Sequence, residues 1–147
     1  EAQELPLPRV PLYIVNTGAP ASTTGEAVAA VAKRTGAKNP VWDEFETAVR
    51  RMQQALEHDD LKAFQRAMRD NHRLLAGIGV VPGRVADFVA EVEQAGAAAK
   101  ICGAGAVAGE AGGMVLVAAK EAPGELCAKY GYELMTVRPD PLGVRVV

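Results

Sequence analysis

Residues 99–117, AKICGAGAVAGEAGGMVLV, place a glycine-rich segment between two short apolar runs. The run Ala99–Cys102 predicts a short strand, and Met114–Val117 predicts a buried strand. A tight hairpin needs only two or three turn residues, whereas residues 103–113 separate these strands and include five glycines. Long loops in compact domains are often functional, and glycines let backbone N–H groups approach a phosphate closely. The segment is therefore either a phosphate-binding loop or a mobile connection, and we expect it to lie outside the core.

Upstream of this segment, apolar residues recur with helical spacing. Two stripes, with residues three or four positions apart, predict a pair of amphipathic helices over about 41–57 and 61–75. The stripe residues are Trp42, Phe45, Val49, Met52 and Leu56 in the first helix, and Leu61, Phe64, Met68 and Leu75 in the second. We expect an antiparallel pair, with Asp59 capping the second helix. Asn71 occupies a stripe position, which indicates either a buried amide satisfied by a neighbouring backbone group or a residue facing a ligand cleft.

The remaining elements complete an α+β order. We expect strands over 12–15, 99–102, 114–117, 133–137 and 143–147, and further helices over 24–35, 83–95 and 121–130. Thr23 and Glu26 have the spacing of a capping box, and Gly36 ends the first of these helices. Strands interrupted by a run of helices are typical of an α+β domain, with helices on one face of a small, mostly antiparallel sheet. The length of 147 residues indicates one domain.

Composition and charge exclude several classes of function. The net charge is −2 and no basic stripe stands out, which argues against nucleic acid as a partner. No apolar stretch approaches the ~20 residues that a membrane helix needs. Cys102 and Cys127 are far apart in sequence, so we expect two reduced, buried thiols in a cytoplasmic protein. The chain begins at Glu1 without methionine or a signal peptide, and we expect a processed product or part of a longer polypeptide.

The sequence contains no motif for nucleotide binding or nucleophilic catalysis by itself. A Walker A motif, a dinucleotide fingerprint and a nucleophile with its base are all missing. His58 and His72 lie among charged residues of predicted helices, so we expect a solvated or packing role rather than metal ligation. The helix that follows Ser22 and Thr23 offers free N–H groups and a positive dipole end to an anion, although these hydroxyls also suit plain capping.

Three segments resemble one known family. Leu12–Thr17 followed by Pro20–Thr23 resembles the segment that opens the C-terminal half of mevalonate kinases. Residues 70–80, DNHRLLAGIGV, resemble the N-x-x-L-L-x-x-L-G-V helix end of the same enzymes. Residues 100–105, KICGAG, resemble the K-L-T-G-A-G motif of the galactokinase, homoserine kinase, mevalonate kinase and phosphomevalonate kinase (GHMP) superfamily. The three segments agree in order and spacing, and the resemblance covers nearly the whole chain from Leu12 onward.

The resemblance implies that residues 1–147 form a ferredoxin-like α+β C-terminal domain of a GHMP kinase. Enzymes of this family bind ATP and substrate between two lobes, and their N-terminal lobe carries the nucleotide loop, a catalytic Asp and a catalytic Lys. None of these parts is in this sequence, so the resemblance implies an N-terminal lobe as partner and an inactive fragment. The implied reaction transfers the γ-phosphoryl group of ATP-Mg²⁺ to mevalonate, in cytoplasmic isoprenoid precursor biosynthesis. The family also suggests a homodimer.

The resemblance also assigns site residues. It gives no catalytic residue and no metal ligand in this chain, and the residues that it implies are Ala21, Ser22 and Thr23 on the substrate side and Gly103, Ala104 and Gly105 on the ATP phosphate side. Mevalonate kinases often have Arg where Ala21 stands, which leaves phosphomevalonate and homoserine kinases as alternatives. The loop departs from the family after Gly105, and an inward-facing Glu110 would repel a phosphate. A stand-alone, non-catalytic ligand-binding or oligomerisation domain is the alternative from another class.

Overall fold

Five helices and four strands make up residues 5–138 and 140, which the computed structural model describes. In chain order they are β1 Leu12–Asn16, α1 Thr24–Thr35, α2 Val41–Glu57, α3 Leu61–Gly77, α4 Gly83–Gln94, β2 Ala98–Ile101, β3 Met114–Ala118, α5 Gly124–Tyr130 and β4 Glu133–Val137. The predicted order is confirmed across these residues, and the strand predicted over 143–147 lies outside them. Helix α5 begins later than predicted because Pro123 disfavours a helical conformation in the residue before it.

The sheet brings the ends of three segments together. Its strand order is β2-β3-β1-β4, and all three pairings are antiparallel, which confirms the predicted α+β class and antiparallel sheet. Asn16 at the end of β1 pairs with Met114 at the start of β3, and Ile101 at the end of β2 pairs with Val115. Both ends of the glycine-rich segment and the turn after β1 therefore emerge at the same end of the sheet.

One face of the sheet carries the larger part of the core. Helices α4 and α5 pack there through a cluster that joins Tyr13, Val15, Ile101, Val115 and Val117 of the strands to Val85, Phe88, Val89, Val92 and Cys127 of the helices. The ring of Phe88 meets those of Tyr130 and Tyr132 edge-on, with centroids 5.4 and 5.2 Å away. Such aromatic pairs add to the free energy of area burial. The apolar strand residues predicted from the sequence thus fix where α4 and α5 lie.

The antiparallel pair α2–α3 lies against the edge strand β2. Phe64 and Met68 of α3 share a cluster with Ala98 of β2. Arg69 donates to the carbonyl of Ala97 at 2.5 Å, and the N–H of Ile101 donates to Nδ1 of His72 at 3.3 Å. An unpaired strand edge exposes backbone groups that invite aggregation, so α3 protects this edge by satisfying them.

Two polar residues of the α2–α3 pair differ from expectation. The N-cap of α3 is Asp60, whose carboxylate accepts from the N–H of Ala63 at 2.9 Å, rather than Asp59. Asp59 instead has a φ of +54°, which lets the chain reverse direction in a short turn. The expectation of a satisfied amide at Asn71 is wrong for its oxygen, since Oδ1 is buried without a hydrogen-bond partner among the described residues.

His72 is buried, with 6% of its surface exposed, so the expected packing role is confirmed and the solvated alternative is wrong. The stripe of α3 turns this residue toward β2, where its ring accepts a backbone hydrogen bond. Burial, together with the smaller effects of the positive charges of Lys100 and Arg73, lowers the pKa of His72 from 6.5 to about 4. The imidazole is therefore neutral in the folded protein at pH 7.

We expect the free energy of unfolding to fall by about 1–3 kcal/mol as the pH drops from 6.5 toward 4. The unfolded chain takes up a proton on His72 near pH 6.5, whereas the folded chain takes it up only near pH 4. The stability from the neutral imidazole is thus complete above pH 6.5 and is lost toward the lower value. Urea unfolding followed by circular dichroism at pH 7, 6 and 5 measures this loss. His72→Asn keeps an acceptor without a titrating group and should flatten the profile, whereas His58→Asn should not. Parallel profiles for wild type and His72→Asn would contradict this assignment.

Candidate functional site

The turn after β1 and the glycine-rich segment meet at one end of the sheet. The hydroxyl oxygen of Ser22 accepts a hydrogen bond from the backbone N–H of Val107 at 3.0 Å. A Cβ placed on Gly109 would lie only 2.8 Å from the Cβ of Ala21, so the backbone of Gly109 lies close to the methyl group of Ala21. The structure therefore brings together the two segments for which the resemblance implies a substrate side and a phosphate side.

Thr17 anchors the C-terminal end of the glycine-rich segment. Its Oγ1 donates to the carbonyl of Gly113 at 2.8 Å and accepts from the N–H of Gly112 at 3.0 Å. Its own N–H donates to the same carbonyl of Gly113 at 2.9 Å. Sequence analysis names Thr17 only as the last residue of the segment Leu12–Thr17 and gives it no separate role. A hydroxyl directly after an apolar strand is the only local signal, and its partners lie more than ninety residues away.

The expectation that the whole glycine-rich segment lies outside the core is wrong for Gly105, Ala106 and Gly112, which are buried. The N–H of Ala106 donates to the carbonyl of Val80 at 2.9 Å. Gly105 has a φ of +64°, and a Cβ there would overlap the carbonyl oxygen of Val80. Glycine is thus required at position 105 by a packed backbone, independently of any ligand.

Gly103 and Ala104 are the residues of this motif that are available to a ligand. Gly103 is exposed with a φ of +68°, and Ala104 is partly exposed. Within residues 5–138 and 140, their backbone N–H groups donate to no protein atom. Successive free N–H groups in a glycine turn are suited to an anion such as phosphate.

The expectation of two buried thiols is wrong for Cys102. This residue is partly exposed because β2 ends at Ile101, whereas Cys127 is buried.

An apolar groove of about 460 Å³ borders Gly103 and Ala104. Helix α1, the start of α2 and the end of α3 form its walls, with Val28, Val31, Trp42, Leu75 and Ile78 among the lining residues. Glu110 is exposed and does not line this groove. The free N–H groups therefore lie at the border of an apolar surface, where an electrostatic interaction is stronger than in open water.

The start of α1 forms the predicted capping box. Thr23 Oγ1 accepts from the N–H of Glu26 at 3.2 Å and donates to Oε2 of Glu26 at 2.9 Å. The backbone N–H of Thr23 donates to the same carboxylate at 2.7 Å. These hydrogen bonds, first from the backbone and then from the hydroxyl of Thr23, hold the pKa of Glu26 below its usual value. The hydroxyl of Thr23 is thus engaged in capping, and the Glu26 carboxylate occupies the place that an anion would take at this helix end.

The described residues show neither a metal-binding cluster nor a membrane-spanning helix. In residues 5–138 and 140, no three or more His, Cys, Asp or Glu side chains are grouped to hold a metal ion. None of the helices in this part of the chain combines the length and the apolar character needed to cross a membrane.

Several solved structures share this fold. The chain matches L. major mevalonate kinase in complex with R-mevalonate with a TM-score of 0.69 and 23% sequence identity, over 92% of this chain and 44% of that one. It matches Methanococcus jannaschii mevalonate kinase with a TM-score of 0.68 and 21% identity, over 87% and 39%. It matches Streptococcus pneumoniae phosphomevalonate kinase in complex with phosphomevalonate and AMPPNP with a TM-score of 0.73 and 14% sequence identity, over 92% of this chain and 42% of that one. The chain thus spans less than half the length of each of these proteins.

Sequence comparison identifies the central part of the chain. Residues 52–109 match the family model described as GHMP kinases C terminal. This range covers the end of α2, α3, α4, β2 and the first part of the glycine-rich segment. No curated protein sequence matches the chain significantly. The family model over residues 52–109 and the likeness of the fold agree with each other, and both make this chain similar to the C-terminal part of GHMP kinases.

Proposed function

We propose that this chain is the C-terminal lobe of an ATP-dependent small-molecule kinase, with mevalonate as the phosphoryl acceptor. The observation that carries the proposal is the contact between Ser22 Oγ and the N–H of Val107. It joins the segment that resembles the substrate side of mevalonate kinases to the segment that resembles their phosphate side. A non-catalytic ferredoxin-like domain would need neither this contact nor the free N–H groups of Gly103 and Ala104.

The chemistry assigned to this lobe is positioning and charge stabilisation. Phosphoryl transfer from ATP requires little covalent participation by the protein, because catalysis comes from alignment and from neutralising developing charge. The N–H groups of Gly103 and Ala104 would donate to phosphate oxygens without rearrangement, since Val80 and Thr17 already hold the segment. In this proposal Mg²⁺ and most of the nucleotide are bound by an N-terminal lobe, which is the principal partner of this chain.

The acceptor is assigned from the turn after β1. Residues 12–17 and 20–23 resemble mevalonate kinases, and one structural relative is described in complex with R-mevalonate. Ala21 supplies no guanidinium group, so an acidic acceptor must find its positive charge elsewhere. The fold matches a phosphomevalonate kinase with a similar TM-score, and phosphomevalonate is therefore the second candidate acceptor. Homoserine is the third, because Ala21 does not exclude it.

A coupled ADP-release assay tests the proposal. With the complete protein, including its N-terminal lobe, we expect the highest kcat/KM for mevalonate, followed by phosphomevalonate and homoserine. The 147-residue chain alone should show no turnover, since it lacks the nucleotide loop and the catalytic Asp of the family. Turnover by this chain above that of an identically purified unrelated protein would contradict its assignment as one lobe. A folded complete protein that phosphorylates none of the three would favour a non-catalytic domain.

In a cell, the proposal places the protein in the cytoplasm, at a step of isoprenoid precursor biosynthesis. A homodimer is a further proposal that rests on the family, and sedimentation of the complete protein would test it.

A further inference from the structure

Helix α1 is attached mainly at its two ends. Between them, only Ala27 is buried, and Val28 is 60% exposed. The apolar groove beside Gly103 runs along the inner side of this helix. The position of α1 relative to the glycine-rich segment therefore depends on what holds each end.

At the C-terminal end, Arg34 provides the attachment. Its Nη1 donates to the carbonyl oxygen of Ile78 at 2.6 Å. The guanidinium group also lies against the backbone of Gly79, where φ is +78° and any Cβ would overlap it. Glycine at position 79 thus makes room for the planar guanidinium group of Arg34, because any side chain on residue 79 would occupy the same space.

The segment that Arg34 contacts also supports the candidate phosphate-side residues. Val80, two residues after Ile78, accepts the hydrogen bond from Ala106 and closes over Gly105. At the other end of α1, Ser22 accepts from Val107, the next residue along that segment. Contacts therefore connect Arg34 to residues 78–80, these to residues 105–107, and those to Ser22. Helix α1 joins Ser22 to Arg34 through the chain itself.

We propose that Arg34 is a positioning residue, which holds α1 and residues 103–107 as one unit and so fixes the distance between the substrate side and the phosphate side. Arg34 lies at the far end of α1 from Ser22, and it acts through the carbonyl of Ile78. The consequence for catalysis rests on the proposed kinase function, whereas the structural coupling does not.

The structural coupling is tested on the 147-residue chain by ¹H–¹⁵N correlation spectra. Arg34→Ala should shift the amide signals of residues 103–107, which lie about seventy positions away in sequence. Lys33→Ala, at the neighbouring exposed position of the same helix turn, is the matched control and should leave those signals in place. Arg34→Lys keeps one charged donor and should restore most of the wild-type positions. Unchanged signals of residues 103–107 in Arg34→Ala would overturn the proposal, whatever the protein catalyses.

The consequence for catalysis is tested on the complete protein. Arg34→Ala should raise the KM for ATP about three- to tenfold, the range expected for losing one ordinary intramolecular hydrogen bond that positions a site. Lys33→Ala should keep the wild-type KM, and Arg34→Lys should return to within about twofold of it. A fall in the thermal midpoint with an unchanged KM would assign Arg34 to stability alone and overturn the positioning role. Absence of turnover in the wild-type protein would instead refute the proposed function, and the spectra would still decide the coupling.

Discussion

Gly105→Ala is expected to lower the free energy of unfolding by about 3 kcal/mol or more, although it adds only one methyl group to an alanine-rich loop. Two costs combine at this position. The φ of +64° is unfavourable for any L residue, which costs about 1 kcal/mol or more. The added Cβ would also overlap the carbonyl oxygen of Val80, and that oxygen is fixed by the N–H of Ala106. Relieving this overlap requires a backbone shift, and such shifts at overpacked sites cost about 1–3 kcal/mol.

Gly103→Ala is the matched control for this prediction. Its φ of +68° is nearly the same, but a Cβ there meets no atom within 4 Å. We therefore expect a loss of about 1 kcal/mol from backbone strain alone. Urea unfolding of both variants measures the difference. Equal losses would show that the Val80 carbonyl gives way, and the packing explanation for Gly105 would then be wrong.

The same pair of variants separates structure from proposed function in the complete protein. Gly103 is exposed and its N–H is free among the described residues, whereas Gly105 is buried. The methyl group of Gly103→Ala would hinder a phosphate that approaches this turn. The activity of the complete protein should therefore fall by more than the loss of stability explains. The resemblance assigned Gly103, Ala104 and Gly105 together to the phosphate side. In the structure, the packing against the Val80 carbonyl requires glycine at position 105 without any ligand.

Local patterns were sufficient for the elements of the fold. The apolar stripes of α2 and α3, the capping box at Thr23 and Glu26, and the short apolar runs of the strands each depend on residues only a few positions apart. Such signals act through helix and strand periodicity, so one sequence contains them completely. The predicted start of α5 is wrong by a few residues and the predicted cap of α3 is wrong by one residue, because neighbouring residues compete for the same role at the ends of helices.

The candidate site could be predicted only in part, because its contacts join distant segments. The resemblance identified Ser22 and the glycine-rich segment, but the hydrogen bond from Val107 to Ser22 spans 85 positions. The burial of His72 follows from its place beside β2, twenty-nine positions later, and the charged residues around it in sequence left a solvated role and a packing role equally open. Arg34 gave no signal at all, since the carbonyl that it contacts is a backbone atom with no side-chain identity.

Thr17→Val is expected to lower the free energy of unfolding by about 2–3 kcal/mol, a large effect for a change that preserves side-chain shape. The hydroxyl serves two backbone groups at once, as donor to the carbonyl of Gly113 and acceptor from the N–H of Gly112. Thr17 is 8% exposed and Gly112 is buried, so water cannot replace the lost acceptor. A buried donor left without a partner costs about 1–3 kcal/mol, whereas the Gly113 carbonyl keeps the N–H of Thr17.

Thr17→Ser distinguishes the hydroxyl from the methyl group. Serine keeps both hydrogen bonds and removes one methyl, which should cost only about 1 kcal/mol. If packing rather than hydrogen bonding holds this end of the loop, the order reverses and valine becomes the milder change. Hydrogen exchange gives a local readout, because the Gly112 amide should lose protection in Thr17→Val and keep it in Thr17→Ser. The distinction matters for the proposed site, since Thr17 fixes the glycine-rich segment at one end while Val80 fixes it near the other. Loosening either end would let Gly103 and Ala104 lose the orientation on which a phosphate contact depends.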